Sequence, residues 1–140
     1  MKNPVQRVMV VDDDEINNFL CRKVIGIYNA NTEVNTFIEA KTALEYLKEK
    51  RSTPHALPDL IMLDINMPIV SGWEFLEAYQ ALTSSIEKDI YIAILSSSVY
   101  QKDREKASAH SSIRSYVSKP LTLESYKQLM DNLTTTISPS

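Results

Sequence analysis

The residues best suited to chemistry stand directly after predicted strands. Asp12 and Asp13 follow a first continuous apolar run, Asp64 a second, Ser96 a third, and Lys119 a short run near the end of the chain. Clustered carboxylates repel one another unless a cation neutralises them. An all-oxygen site with few protein ligands suits Mg²⁺, which keeps coordination positions for phosphate oxygens. These residues therefore indicate a magnesium site that can receive a phosphate.

A carboxylate beside such a metal can attack phosphorus and form an aspartyl-phosphate. Lys119 and Ser96 would then hold the transferred oxygens and stabilise their charge, on which phosphoryl transfer mostly depends. The residue types predict phosphoryl-transfer chemistry if the fold brings the strand ends together.

The elements that must position these residues are strands and helices in alternation. Short continuous apolar runs, typical of buried parallel strands, alternate with apolar stripes at helical spacing. The predicted strands are residues 8–11, 34–38, 60–63, 90–95 and 114–117, with the second strand at a sheet edge. Right-handed crossovers place helices on both faces of such a sheet, and its reactive groups collect at the carboxyl edge. The predicted fold class is α/β.

One helix is predicted after each strand. The first has an apolar stripe spaced for one helix face, formed by Ile16, Phe19, Leu20, Val24 and Ile27. A fourth helix is predicted to open at Ser98, and its thin apolar face predicts weak docking and comparatively high mobility. The fifth helix follows Thr122, a predicted N-cap.

The composition favours one domain and excludes several function classes. The chain has 140 residues, 44% hydrophobic and 24% charged, as expected for one globular domain over residues 1–140. Its net charge of −3, with bases and acids interleaved, disfavours direct nucleic-acid binding. With 2 glycines and 1 cysteine, the chain cannot form a P-loop, a dinucleotide-binding turn or an internal disulfide. No signal peptide or membrane-spanning run is visible, so a cytoplasmic protein without membrane contact is expected.

Four segments resemble the signature stretches of bacterial receiver domains from two-component response regulators. They are residues 10–13, residues 63–68 together with Gly72, residues 95–97 and residues 116–120. The resemblance implies a flavodoxin-like, doubly wound fold with a five-stranded parallel sheet of order 2-1-3-4-5, flanked by five helices. Because few residues follow the predicted fifth helix, we expect a single receiver domain with no output domain.

The resemblance assigns the phosphoacceptor and the metal ligands. Asp64 matches the phosphoacceptor, and Asp13 matches the acid that binds Mg²⁺ directly. Asp12 would contribute through a metal-bound water, and Asn66 would bind through its backbone carbonyl. Asp12, Asp13, Asp64 and Asn66 are therefore the expected metal residues.

The resemblance also assigns the phosphate-binding and switch residues. Lys119 matches the lysine that binds phosphate, and the peptide bond to Pro120 is expected to be cis. Ser96 matches the switch hydroxyl and Tyr116 the switch aromatic, three residues before the lysine. Ser97 stands where alanine is most frequent, a mild departure from the family pattern.

The partners follow from the same resemblance. A sensor histidine kinase or a phosphotransfer protein would supply the phosphoryl group. An unidentified downstream protein would read the surface formed by the predicted fourth helix, the last strand and the fifth helix. The domain would turn over no substrate beyond slow loss of its own phosphoryl group. Phosphorylation-dependent dimerisation is left open.

Two alternatives stay open from the residues alone. The acids at 12 and 14 also fit the D-x-D pattern of haloacid-dehalogenase-like phosphohydrolases, with Asp12 as nucleophile; that reading leaves Asp64 without a role. A phosphate-independent pseudo-receiver would share the fold and act only as a binding module. Such domains usually lack one of the acids or the lysine, and this chain has them all.

Overall fold

A five-stranded parallel sheet forms the centre of the computed structural model, which describes residues 5–67, 70–97, 105–106 and 109–137. The strands are β1 (Arg7–Val11), β2 (Glu33–Phe37), β3 (Leu60–Leu63), β4 (Tyr91–Ser96) and β5 (Ile113–Ser118). Their order is β2-β1-β3-β4-β5, and every pair is parallel. The predicted α/β class and strand order are confirmed, including the edge position of β2.

Four α-helices are described, two on each face of the sheet. They are α1 (Glu15–Tyr28), α2 (Ala40–Glu49), α3 (Gly72–Leu82) and α4 (Leu123–Ile137), with short 3₁₀ turns at Pro54–Ala56 and Thr83–Ser85. Core side chains of α2 and α3 pack on one face, and those of α1 and α4 pack on the other. This arrangement is the doubly wound packing expected from right-handed crossovers.

The helix predicted to open at Ser98 lies largely outside the described residues. Of that segment, Glu105, Lys106 and Ala109 are described, and all three are helical. None of the described helices is long and apolar enough to cross a membrane.

Helices α2, α3 and α4 bury the apolar stripes that their sequences predict. Ala40, Ala43 and Leu47 of α2 are buried, as are Phe75 and Tyr79 of α3. Helix α3 begins with a capping box of Ser71 and Glu74, which was not predicted from sequence. In α4, the hydroxyl of Thr122 accepts the backbone N–H of Ser125, so the predicted N-cap is confirmed.

Helix α1 buries the opposite face from the one predicted. Ile16, Phe19 and Ile27 are 72%, 56% and 70% exposed, and Leu20 is exposed as well. The buried positions of α1 are Asn17, Asn18, Cys21 and Ile25. Val24 of the predicted stripe is half-buried against the core, so the predicted packing is wrong for the other four residues of the stripe. Its orientation follows from polar contacts with the end of β1, described below, which let two asparagines face the sheet.

Candidate functional site

The ends of β1 and β3 place Asp12 and Asp64 side by side. The two strands are neighbours in register, with Val11 opposite Leu63. Ladder hydrogen bonds continue one residue further, because the Asp64 N–H donates to the Val11 carbonyl at 2.9 Å. The Asp12 N–H likewise donates to the Phe37 carbonyl of β2 at 2.9 Å. Both aspartates are thus held by the sheet itself.

Three carboxylates form one cluster at this edge. A carboxylate oxygen from each of Asp12, Asp13 and Asp64 lies within 4.8 Å of the others. Asp12 and Asp64 are 1% and 4% exposed, whereas Asp13 is exposed. Two acids are therefore largely removed from water, and the third opens the cluster to solvent.

Lys119 supplies the positive charge at this cluster. Its Nζ lies 2.7 Å from Asp12 Oδ2 and 3.5 Å from Asp64 Oδ2. Its backbone N–H donates to the Ser96 carbonyl at 2.9 Å, and its peptide bond to Pro120 is cis, as predicted. Burial alone lowers the pKa of Lys119, but the hydrogen-bonded carboxylates outweigh burial and raise that pKa. The lysine therefore stays protonated at neutral pH.

The carboxyl group of Asp64 resists ionisation. Burial raises its pKa above the ordinary value, and the charge of Asp12 acts in the same direction. The Asn66 N–H, which donates to Asp64 Oδ1 at 3.1 Å, and the ammonium of Lys119 act in the opposite direction but do not cancel the rise. A cation near these carboxylates would favour the ionised form.

The loop after β3 is held close to Asp64 by a glycine. A Cβ atom at Gly72 would lie 2.5 Å from the Ile65 Cα and 2.6 Å from the Asp64 carbonyl oxygen. The Gly72 N–H donates to the Ile65 carbonyl at 3.2 Å, and α3 begins at this point. Any side chain at position 72 would push the loop away from the site. Pro68 of the predicted turn lies outside the described residues.

Ser96 and Tyr116 lie on the other side of the site, on β4 and β5. Ser96 is fully buried, and its Oγ lies 3.4 Å from the Asn66 Nδ2. Tyr116 is half-buried and stands opposite Ile94 in the strand register. The structure thus brings the predicted switch hydroxyl to the site edge and places the predicted aromatic on the neighbouring strand.

Two residues at the site were missed from sequence. The Asn17 Nδ2 donates to Asp12 Oδ2 at 2.7 Å, and the Asn18 Nδ2 donates to the Asp12 backbone carbonyl at 2.9 Å. The available signal was a pair of asparagines, poor helix formers, in the first turns of a predicted helix. By contrast, Asp14 caps α1, because its side chain accepts the N–H groups of Ile16 and Asn17.

The cluster fits a divalent cation by charge and by ligand type. Within the part of the chain that the structure describes, three carboxylates form the cluster and one ammonium is paired with it, which leaves two negative charges uncompensated when all three acids are ionised. Carboxylate oxygens are the ligands that Mg²⁺ prefers. The predicted contribution of the Asn66 carbonyl stays a prediction.

Comparison with known proteins places the whole arrangement in one family. The family model described as "Response regulator receiver domain" matches residues 8–131. Among curated proteins, the chain is 33% identical over 117 residues to the transcriptional regulatory protein PrrA of Mycobacterium leprae. That match covers 84% of this chain and 45% of PrrA, so the chain spans less than half of this relative.

Two further similarities cover larger shares of both proteins compared. The chain is 25% identical to the probable methanogenesis regulatory protein FilR2 of Methanothrix harundinacea, over 90% of this chain and 79% of that protein. It also resembles the crystal structure of a two-component response regulator from Cytophaga hutchinsonii. That similarity has a TM-score of 0.84 and 29% identity, covering 95% of this chain and 99% of the other.

Proposed function

The chain belongs to the response regulator receiver domain family, and we propose that it is a phosphorylation-controlled switch with Asp64 as phosphoacceptor. A sensor histidine kinase or a phosphotransfer protein would donate the phosphoryl group. The observation that carries the proposal is the position of Lys119, whose Nζ lies between Asp12 and Asp64 at the carboxyl edge. An ammonium at that point can hold phosphoryl oxygens that arrive on Asp64.

The hydrogen bonds favour Asp64 over Asp12 as nucleophile. Asp12 Oδ1 accepts the Asp14 N–H at 2.9 Å, and its Oδ2 accepts from both Asn17 and Lys119. Asp64 Oδ1 accepts the Asn66 N–H, and among the donors of the described residues its Oδ2 has the longer Lys119 contact at 3.5 Å. Lone pairs committed to strong donors are less available to attack phosphorus. This contrast argues against the phosphohydrolase alternative, in which Asp12 attacks.

Mg²⁺ would be held by Asp12, Asp13, Asp64 and the backbone carbonyl of Asn66. Receiver domains bind Mg²⁺ through acidic residues, and the cluster here has the matching ligand type. When bound, the ion neutralises charge on the carboxylates and on the phosphoryl oxygens. The protein's own part is to aim the Asp64 carboxylate out of the sheet edge and to present Lys119 to the incoming oxygens, while the Lys119 ammonium and the Asn66 N–H oppose the rise in the pKa of Asp64 that burial causes.

The exposed stripe of α1 suits the docking of a protein phosphodonor. Asp64 is 4% exposed, so a donor must cover the carboxyl edge to bring its phosphohistidine within reach. Helix α1 begins at that edge and exposes Ile16, Phe19 and Leu20 beside it. Exposed apolar patches of this kind typically mark protein contacts. We place the donor on this part of α1.

Phosphorylation would reach the surface through Ser96 and Tyr116. A phosphoryl group adds nearly two negative charges and three acceptor oxygens beside Ser96. Its hydroxyl would be drawn toward that charge, and Tyr116 would turn into the space that it leaves. The predicted fourth helix, with its thin apolar face, would follow and change the surface that a downstream protein reads.

Intact-mass measurement after treatment with acetyl phosphate and Mg²⁺ tests the phosphoacceptor. Wild-type protein should gain one phosphoryl group, and Asp64→Asn should gain none. Asp14→Asn is the matched control, because it neutralises a neighbouring acid and keeps a good N-cap. Labelling of Asp64→Asn at the wild-type level would refute the assignment, and an unlabelled wild type would support the pseudo-receiver alternative.

Transfer from a phosphorylated phosphotransfer protein tests the docking surface. Phe19→Ser should slow this transfer about tenfold, the effect of losing one interface hot spot. Labelling by acetyl phosphate should not change, because a small donor needs no docking surface. Ile27→Ser, roughly 12 Å further along α1, is the control and should have a smaller effect. Equal slowing with both donors would place the damage in the site and not in docking.

Amide exchange tests the switch. Beryllofluoride, a phosphoryl mimic, should change exchange across residues 98–110 in wild-type protein, and Ser96→Ala should reduce that change at saturating ligand. An identical exchange pattern with and without the mimic in wild-type protein would mean that the signal leaves by another face.

A further inference from the structure

Helix α1 directs two polar side chains at one aspartate. Asn17 and Asn18 are each 5% exposed and lie in the first turns of α1, on the face that packs against the sheet. Buried amides need hydrogen-bond partners, and asparagine is a poor helix former. Two of them at these positions therefore require an explanation that core packing does not provide.

The contacts of Asn17 converge on the carboxylate of Asp12. Its Nδ2 lies 2.7 Å from Asp12 Oδ2 and 3.7 Å from the Cys21 Sγ. A carboxylate only accepts hydrogen bonds, so the amide must present its NH₂ group to Asp12. The Asn18 Nδ2 donates to the backbone carbonyl of the same aspartate at 2.9 Å. Asp12 is thus held by its main chain and its side chain from one helix.

Asp12 Oδ2 is shared between Asn17 and Lys119, both at 2.7 Å. The lysine also lies 3.5 Å from Asp64 Oδ2, where the proposed function places the incoming phosphoryl group. Phosphoryl oxygens at Asp64 would compete with Asp12 for the ammonium. Among the contacts described for this oxygen, the Asn17 amide is the one that remains when Lys119 turns to the phosphoryl group.

We infer that Asn17 is a positioning residue, which fixes the Asp12 carboxylate so that it can serve the metal while Lys119 serves the phosphoryl group. The inference rests on the proposed function of the site. A neutral donor suits this task, because it orients the carboxylate without cancelling its charge. A cation on the same oxygen would instead compete with Mg²⁺. Partners of this kind behind a metal ligand typically contribute 10–100-fold to metal affinity.

Calorimetric titration with Mg²⁺ alone tests the inference. Asn17→Ala and Asn17→Leu both remove the donor, one by leaving space and the other by filling it. Each should lower Mg²⁺ affinity about tenfold, and Asn17→Gln, which keeps the amide, should recover part of the loss. Asp13→Ala removes a proposed ligand, so its Mg²⁺ affinity shows how large the loss is when a ligand itself is absent. Urea unfolding of every variant confirms that the titrated protein is folded.

Cys21→Ala is the matched control, because Cys21 contacts the Asn17 amide from one turn further along the same buried face. It should reduce stability and leave Mg²⁺ affinity within about twofold of wild type. Folded Asn17→Ala or Asn17→Leu protein with wild-type affinity would overturn the role of Asn17. A wild-type protein that binds no Mg²⁺ and takes up no phosphoryl group would overturn the proposed function itself, which separates the two failures.

Discussion

The two edges of the sheet both hold acids against bases, but they balance their charges differently. At the amino edge, Lys88 Nζ lies 2.9 Å from Asp59 Oδ1, and Arg7 lies 2.7 Å from Glu33. Asp59 Oδ2 also accepts the backbone N–H groups of Gln6 and Arg7, at 2.8 and 3.0 Å. Each charge of this group faces an opposite one.

The carboxyl edge is left unbalanced. Among the described residues, Lys119 is the cation paired with this cluster, and it contacts Asp12 and Asp64 but has no described ion pair with Asp13. Two of these acids are buried, where the uncompensated charge is most costly. Acidic and basic residues therefore have different roles at the two edges of one sheet. We infer that the balanced edge stabilises the fold, whereas the unbalanced edge is less stable because it forms the proposed site for a cation and a phosphoryl group.

Removing the acid at the centre of the amino edge should have the larger effect on stability. Asp59→Ala leaves two backbone N–H groups and Lys88 without their shared acceptor. The side chain of Asp59 is 18% exposed, so water replaces it only in part. We expect a loss of about 3 kcal/mol in the free energy of unfolding, measured with urea. Labelling by acetyl phosphate should stay within about twofold of wild type.

Two further variants serve as controls for the stability loss expected of Asp59→Ala. Asp59→Asn keeps an acceptor for the backbone N–H groups and should lose less stability. Asp89→Ala removes an acid whose side chain is 79% exposed and which lies 3.8 Å from Arg114, and it should change little. The contrast between the edges breaks down if Asp59→Ala is as stable as wild type, or if it abolishes phosphorylation while folded.

The parts of the molecule that follow from periodicity were predictable. The strands β1, β3 and β4 are buried on both faces, so their sequences are continuously apolar, and the site follows because parallel strands end at one edge. The inverted packing of α1 was not predictable from its apolar stripe. Its orientation depends on hydrogen bonds from Asn17 and Asn18 to Asp12, which are contacts between elements.

The amino edge was also missed, for a related reason. Asp59, Lys88 and Glu33 are separated in sequence, and no local pattern links them. They meet only because the starts of parallel strands lie at one edge, as their ends do at the other. Sequence motifs predicted the residues that meet at the carboxyl edge, whereas the ion pairs of the amino edge became visible only in the structure.

The smallest expected effect lies at the carboxyl edge itself, where removing an acid should stabilise the metal-free protein. The pKa of Asp64 is raised in the folded state, chiefly by burial and also by Asp12. The folded protein therefore binds more protons than the unfolded chain at pH values between the ordinary and the raised pKa. The contribution of Asp64 to stability is therefore highest below the ordinary value of 3.8 and is lost as pH rises through the raised one.

Asp64→Asn has no carboxyl group to ionise and so avoids this loss; in EDTA at pH 7.5 it should be more stable than wild type, by less than the change expected for Asp59→Ala. The difference should shrink at pH 4.5 and also in saturating Mg²⁺, which stabilises only a protein that binds it. Urea unfolding at both pH values measures the effect, and the exposed Asp89→Asn serves as control. If Asp64→Asn were instead less stable than wild type without Mg²⁺ at pH 7.5, the unbalanced charge would not be destabilising. The contrast between the two edges would then be one of function alone.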